Sequence, residues 1–274
     1  MKVKPQEKTN TAAPSTVTIQ QTTSKSEVSS KNSSMKRTKT GIPGFDDLIQ
    51  GGFPSPSNIL IEGKPGTGKT IFAMEYLYNG ATQFNEPGLY LSFEQSAASI
   101  YSQAAQFGWD FEKAGVSVVY RSPSKVKSVS EIIKIIFDQA GKNGIRRIVV
   151  DSLPALYINA KDVTIEKSEG FFSRLFGKDK VKELDEKKFI YLFLDTIKCV
   201  PLTTLIVTED INSLQDFGDT PEYAADGVIK LTLEPMGQFS RSMLITKMRH
   251  TKNNTNSQPV EINDKGITIH TQQE

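Results

Sequence analysis

The sequence predicts an α/β fold in which a mostly parallel sheet is flanked by helices and carries an antiparallel hairpin at its edge. Short runs rich in Val, Ile and Leu alternate with segments whose apolar residues recur at helical spacing. Two later apolar runs are separated by only a few residues, as the strands of a hairpin are. With 274 residues, of which 37% are hydrophobic, the chain is long enough to bury a core of this kind.

The parallel strands are predicted from apolar runs typical of strands that are buried on both faces. These runs are "NILIE" (58–62), "GLYLSF" (88–93), "VSVVY" (116–120), "RIVVD" (147–151) and "TTLIVT" (203–208). Helical spacing marks the segments between them, at 70–84, 96–109, 128–144 and 187–198. The hairpin is predicted from "GVIKLTLEP" (227–235) and "RSMLITKMR" (241–249).

The first 37 residues differ in composition from the rest. They contain seven basic and two acidic residues, whereas the remaining chain contains 26 basic and 29 acidic residues. Residues 1–34 include thirteen Ser or Thr and no aromatic residue, a composition that cannot bury enough apolar area to offset the entropy of ordering. We predict a disordered leader at 1–37 followed by one domain at 38–274. The alternative for the leader is an arm that binds nucleic acid or a protein partner.

Several classes of protein are excluded by what the chain lacks. No apolar run approaches the roughly 20 residues that span a bilayer, and the N-terminus has no secretory signal. The sequence therefore predicts a cytoplasmic protein that does not enter the membrane. Cys199 is the single cysteine, and with two histidines the chain offers neither a disulfide framework nor a Cys- or His-based metal site. Its apolar neighbours predict a buried, inert thiol.

The segment "GKPGTGKT" carries the strongest functional signal. It matches the phosphate-binding pattern G-x-x-x-x-G-K-[ST], and it lies after a predicted strand and before a predicted helix, as that pattern requires. Glycines let such a loop curl so that backbone N–H groups and the helix N-terminus face phosphate oxygens. The lysine reaches the β- and γ-phosphates, and the threonine hydroxyl binds Mg²⁺. The predicted nucleotide-binding residues are Gly63, Lys64, Pro65, Gly66, Thr67, Gly68, Lys69 and Thr70.

Two carboxylates complete the predicted site of a nucleoside triphosphatase. Asp151 ends the strand "RIVVD" and is the second candidate ligand of Mg²⁺, with a capping role for the next turn as the alternative. Glu94 ends the strand after the P-loop helix, where it would orient and deprotonate the attacking water. The alternative for Glu94 is an exposed loop carboxylate without a catalytic role.

These residues, in this order, resemble the RecA superfamily, and specifically its KaiC-like and RadA-like branch. The lead-in "TGIPGFDDLIQGGF", the "SFEQ" segment, "FGWDFEKAG", "TED", "YAADGVIKL" and "KMRHT" all resemble stretches of KaiC-like domains, so the resemblance spans about residues 38–270. It implies a RecA-like fold that binds ATP and Mg²⁺, hydrolyses ATP, and assembles into a homo-oligomeric ring, often a hexamer, or into a filament. In that family, the residues matching Lys247 and Arg249 reach the γ-phosphate on the next subunit; a pair of surface cations is the alternative.

Three departures from the family pattern limit what carries over. Gln95 stands where the family commonly has a second glutamate, which predicts slow hydrolysis, and His250 stands where a glycine often follows "KMR". The segment 160–189 is longer than a typical connection. Its aromatic and basic residues would suit single-stranded DNA, whereas its eight basic and seven acidic residues equally suit a helix packed on its own domain or on a protein partner.

The sequence thus predicts a slow ATPase, with two other classes left open. A scaffold that senses ATP with little hydrolysis would also keep the P-loop. Gln95, in place of a second glutamate, is consistent with this alternative. An accessory of DNA repair that resembles recombinase paralogues would couple ATP to single-stranded DNA.

Overall fold

The computed structural model describes residues 35–126, 128–158, 193–209, 224–236 and 238–271. Most of the predicted leader and all of segment 160–189 lie outside these residues. Arg37, at the predicted end of the leader, begins a two-residue strand, β1 (Arg37–Thr38), that pairs antiparallel with β2 (Phe53–Pro54). Its guanidinium donates hydrogen bonds to the carbonyl oxygens of Ile49 and Gly52, each at 3.1 Å.

The remaining elements follow the predicted alternation of strands and helices. The strands that come before the hairpin are β3 (Asn58–Glu62), β4 (Gly88–Ser92), β5 (Val116–Tyr120), β6 (Arg147–Asp151) and β7 (Thr203–Val207). The helices are α1 (Lys69–Phe84), α2 (Ala97–Gln106), α3 (Phe111–Ala114), α4 (Val129–Asn143) and α5 (Leu153–Ile158), and residues 193–197 are also helical. The last strands are β8 (Gly227–Thr232), β9 (Arg241–Met248), β10 (Gln258–Asn263) and β11 (Gly266–Ile269). Among the described residues, no helix is both long and apolar enough to cross a membrane.

Within the described part of the chain, nine strands form one sheet in the order β11-β10-β9-β8-β3-β7-β6-β4-β5. The six strands from β8 to β5 are parallel, which confirms the predicted fold class. Strands β8 and β9 form the predicted antiparallel hairpin. The hairpin is not the outermost part of the sheet, however, because β10 and β11 continue it. Since β10 pairs with only residues 241–243 of β9, the second half of β9 has, among the described residues, a strand on one side only.

The sheet separates two apolar cores, as alternation along its strands requires. Ile59 and Ile61 of β3 face one core, which also contains the buried side of α1. Leu60, between them, faces the other core, which contains the buried side of α4. Strands buried on both faces in this way explain why the runs read as continuously apolar.

Cys199 is exposed, which corrects the prediction of a buried thiol. It lies in a turn after the helical residues 193–197, where Phe193 and Ile197 face the core. Apolar neighbours in the sequence therefore do not bury a residue that lies beyond the last turn of the helix.

Candidate functional site

The glycine-rich loop between β3 and α1 adopts backbone angles that favour glycine. Gly63, Gly66 and Gly68 have φ of 156°, 83° and 103°. At Gly68 the space is also closed, because a Cβ there would lie 2.6 Å from Cδ1 of Ile262. Thr67 is buried, and its hydroxyl donates to the carbonyl oxygen of Lys64 at 2.9 Å. Conformation and packing together explain why glycine occupies the position just before the helix.

Helix α1 begins at Lys69 without a side-chain cap, so the backbone N–H groups of its first turn remain directed toward the loop. The Lys69 ammonium donates to the carbonyl oxygens of Gly63 at 2.6 Å and Lys64 at 3.0 Å. Burial lowers the pKa of Lys69 below its ordinary value, and the carboxylates of Asp151, Glu209 and Glu94 oppose that shift. The lysine therefore lies in a field of negative charge at the start of the helix.

Asp151 ends β6, where the sheet register places it beside Ser92 and Val207. Its carboxylate accepts hydrogen bonds from the Tyr90 hydroxyl and, at 3.3 Å, from the Thr70 hydroxyl. Burial raises the pKa of Asp151 to about 6, while these two donors act in the opposite direction. The two residues predicted to bind Mg²⁺, Thr70 and Asp151, thus lie in direct contact.

Glu94 lies two residues beyond β4 and is exposed. Its carboxylate accepts a hydrogen bond from the hydroxyl of Ser152, the residue after Asp151. The neighbouring Gln95 is directed elsewhere, since its side-chain oxygen accepts hydrogen bonds from Ser99, at 2.9 Å, and from Gln103 of α2. The family's second carboxylate position is therefore occupied by an amide that binds helix α2.

The carboxyl ends of β3, β4, β6 and β7 meet at one cleft of about 360 Å³, the edge at which open α/β sheets bind ligands. The structure brings together there most of the residues predicted from sequence, namely Pro65, Gly66, Gly68, Lys69, Thr70, Glu94 and Asp151. It adds residues to which the sequence assigned no role at the site, among them Gln103, Ser152, Thr208, Glu209, Arg241 and Ile262.

Arg241 is the most informative of these additions. It begins β9, and its Nε donates to the carbonyl oxygen of Gly66 at 3.3 Å. The signal for this position was present in the sequence: in a hairpin with β8, the start of the returning strand lies at the level where β8 ends. Because β8 runs parallel to β3, that level is the P-loop end of the sheet.

Lys247 and Arg249 lie at the opposite end of the sheet and, within the described residues, do not line the cleft. The Lys247 ammonium donates to the carbonyl oxygen of Ala225 at 2.7 Å, and the Arg249 guanidinium lies 3.5 Å from the Asp226 carboxylate. Lys247 lies six steps along the extended strand from Arg241, which is about 20 Å at 3.3 Å per residue. The two predicted cations therefore cannot reach the P-loop of their own chain.

His250 follows Arg249 and has φ of 56°, a left-handed conformation. The family often has glycine at this position, and glycine adopts such angles without strain. His250 thus adopts the left-handed conformation that a glycine would adopt there, so the backbone turn is kept although the residue differs.

Comparisons with known proteins agree with this geometry. The model of the ATPase family described as KaiC matches residues 38–182 and 178–274. A UPF0273 protein of Aeropyrum pernix is 32% identical over 254 residues, covering 85% of this chain and 93% of that protein. The circadian clock oscillator protein KaiC of Prochlorococcus marinus is 28% identical over 255 residues, and the match covers 88% of this chain but 47% of that protein. A KaiC-like protein of Pyrococcus horikoshii, known from its crystal structure, superposes with a TM-score of 0.69 at 30% identity, covering 86% of this chain and all of that one.

Proposed function

The chain belongs to the KaiC family of ATPases, and we propose that it binds Mg·ATP in the cleft and hydrolyses it slowly at interfaces between identical subunits. The observation that carries the proposal is the convergence of Lys69, Thr70, Asp151 and Glu94 at one edge of the sheet. These residues come from three separate strand ends, and phosphoryl transfer to water needs all of them together.

The phosphates of ATP would lie over the first turn of α1. The N–H groups there have no side-chain cap, and the helix dipole adds partial positive charge. Lys69 supplies a full charge, and exchanging its present carbonyl partners for phosphate oxygens replaces neutral acceptors with anionic ones. Arg241, held beside Gly66, adds a second cation at the same loop.

The donor set at the cleft fits Mg²⁺. Thr70 and Asp151 present two oxygen atoms 3.3 Å apart, and Mg²⁺ in nucleotide sites usually takes one or two protein oxygens together with phosphates and water. When bound, the metal ion neutralises charge on the phosphates. The Tyr90 hydroxyl would hold the Asp151 carboxylate in place by its hydrogen bond.

Glu94 would accept a proton from the attacking water, and Ser152 orients its carboxylate. Gln95 cannot share this work, because its amide is bound to α2. A single carboxylate at this position is the physical reason to expect slow turnover.

Lys247 and Arg249 would act on the nucleotide of a neighbouring subunit, because they are too far from their own P-loop. A cation of this kind stabilises charge that develops in the transition state, so its loss lowers turnover more than affinity. This role requires a homo-oligomer, and a ring is the assembly that gives every subunit one neighbour on each side.

The test of shared sites mixes two inactive variants, Glu94→Gln and Arg249→Ala. Each alone should bind ATP and lose most of its turnover. After subunit exchange, some interfaces combine an intact Glu94 with an intact Arg249, so ATPase activity should reappear. If mixtures shown by native mass spectrometry to have exchanged subunits stay inactive, Arg249 does not act between subunits.

The test of the phosphate site is Lys69→Ala, measured by titration calorimetry with Mg·ATP. Losing a charge-assisted contact should weaken binding tenfold or more. Lys134→Ala, which removes an exposed lysine from α4, is the matched control and should bind like the parent. Equal affinity of the Lys69→Ala protein and the parent would contradict the proposed phosphate site.

Steady-state turnover separates the proposed function from the two other classes. Slow turnover without any partner supports the ATPase. Binding without turnover supports an ATP-sensing scaffold, which the amide at Gln95 favours. Stimulation by single-stranded DNA would support a recombinase-like accessory and would direct attention to segment 160–189.

A further inference from the structure

Glu75 is a buried carboxyl that the proposed chemistry does not use. It lies on α1 among the buried residues of that helix, with 5% of its surface exposed. Its Oε2 accepts a hydrogen bond of 2.7 Å from the backbone N–H of Ile267 in β11, and the Asn79 side chain also hydrogen-bonds to it. The contact joins the P-loop helix to residues 192 positions away in the sequence.

The strand that Glu75 binds belongs to a hairpin that reaches the cleft. β10 and β11 pair from Val260 with Ile269 to Asn263 with Gly266. Ile262 of this hairpin lines the cleft, and its Cδ1 closes the space beside Gly68. Ile267 also approaches Gly68, with its Cδ1 3.9 Å from the position of a Cβ there. The hairpin therefore forms an apolar wall directly against the last glycine of the P-loop.

The approach of α1 and β11 is too close for any side chain at Gly266. A Cβ there would lie 2.3 Å from Oε2 of Glu75 and 2.8 Å from the Trp109 indole. The carboxyl is thus enclosed, and burial raises the pKa of Glu75 to about 7. Burying a carboxyl costs desolvation free energy that an apolar residue would not cost. The hydrogen bond to Ile267 offsets part of this cost.

We propose that Glu75 is a positioning residue for the nucleotide: by holding the N–H of Ile267, it fixes the β10–β11 hairpin so that Ile262 forms a wall of the cleft. The inference rests on the proposed binding of ATP in that cleft. It assigns to Glu75 an effect on nucleotide affinity through the hairpin, without contact to the nucleotide itself.

The test compares two substitutions of similar size. Glu75→Met fills the space but accepts no strong hydrogen bond, so the hairpin loses its attachment and ATP affinity should fall about fivefold or more. Glu75→Gln keeps a side-chain oxygen for the Ile267 N–H, so its affinity should stay within about twofold of the parent. Affinities are measured by calorimetry at a temperature where each protein is folded.

A control separates this effect from general destabilisation. Ile136→Ala opens a cavity beneath α4, in the core on the other face of the sheet. It should lower the melting temperature at least as much as Glu75→Met and leave ATP affinity unchanged. If Glu75→Met binds ATP like the parent, or if Ile136→Ala weakens binding equally, the inference is wrong.

The outcomes also distinguish this inference from the proposed function. A parent protein that binds no ATP contradicts the proposed function, whereas a parent that binds ATP and a Glu75→Met variant that binds it equally contradict only the role of Glu75. Should Glu75→Met fail to fold, the inference is tested instead by amide hydrogen exchange of the parent, measured with and without ATP. ATP should slow exchange at the Ile267 amide if the hairpin and the cleft are coupled, and unchanged exchange would overturn the inference.

Discussion

Helices α1 and α4 cover opposite faces of the same sheet and have nearly the same length, yet they are built differently. α1 buries residues around most of its surface, including the polar Glu75 and Asn79 and the glycine at position 80. α4 buries one stripe of isoleucines, Ile132, Ile133 and Ile136. The P-loop helix is enclosed by other elements, whereas α4 only covers the sheet.

The N-termini of α1 and α4 also differ, because only that of α4 has a side-chain cap. Ser128 caps α4, its hydroxyl accepting a hydrogen bond from the N–H of Glu131 at 3.2 Å, in the S-x-x-E arrangement of a capping box. α1 follows a glycine and has no side-chain cap. The cap gives α4 a stabilising contact within its own first turn. α1 has no such contact and depends more on the elements packed around it. The following predictions test this difference.

The largest expected effect is on α4. Ile136→Ala should lower the free energy of unfolding by about 2–5 kcal/mol, because it removes buried methyl groups and leaves a cavity. Urea denaturation measures the loss. Calorimetry should show unchanged ATP affinity, and a change in affinity would mean that α4 contributes to the site.

On α1, the buried carboxyl should make stability depend on pH. The pKa of Glu75 is about 7 in the folded protein, so the folded state binds this proton more tightly than the unfolded chain. The contribution is complete below about pH 4.5 and is lost as pH rises through 7, at most about 3 kcal/mol. Glu75→Gln should therefore gain stability relative to the parent as pH rises.

The measurement is a series of urea melts between pH 4.5 and 8. Glu112→Gln, which changes an exposed carboxyl on α3, is the control and should follow the pH dependence of the parent. A constant difference between Glu75→Gln and the parent across this range would contradict the assigned pKa.

Replacing a glycine by alanine should lower the stability of the protein in α1 and raise it in α4. A Cβ at Gly80 of α1 would lie 2.4 Å from the buried side chain of Arg147, which Glu86 holds by an ion pair of 2.7 Å. Gly80→Ala should therefore destabilise the protein by about 1–3 kcal/mol, despite the better helix propensity of alanine. At Gly141 of α4 a Cβ meets open space, so Gly141→Ala should stabilise by roughly 0.5–1 kcal/mol. Thermal melts of both variants check the signs.

The last prediction concerns the cap of α4. Ser128→Ala should lower stability by about 1 kcal/mol and leave nucleotide affinity unchanged. Ser128→Asp, which restores a capping oxygen, should recover most of the loss. If neither variant differs from the parent, the hydroxyl does not stabilise the helix.

Much of the fold could be predicted from sequence because its strands are buried on both faces. "RIVVD" and "NILIE" contain the signal within themselves, and their predicted bounds match β6 and β3. The helix after the P-loop was likewise marked by its motif. Local sequence patterns are enough to predict a strand that is buried along its whole length, and a motif such as the P-loop is enough to predict the helix that follows it.

The parts that escaped prediction depend on partners distant in sequence. β10 contains Pro259 and polar residues, which argue against a strand, so neither the continuation of the sheet nor Ile262 in the cleft was expected. Arg241 could have been placed by following the hairpin register, but its contact with Gly66 depends on a loop 175 residues away. The roles of Glu94, Lys247 and Arg249 stay predictions.

Strand β9 runs from the cleft of its own subunit, at Arg241, to the cations at its far end. In the proposed assembly, this one covalent segment touches two nucleotides, its own and the neighbour's. A paired strand is stiff along its axis, so a displacement at one end is carried to the other. Occupancy of one cleft should then change the rate at the next, and the ATPase should respond to ATP concentration with a Hill coefficient different from one.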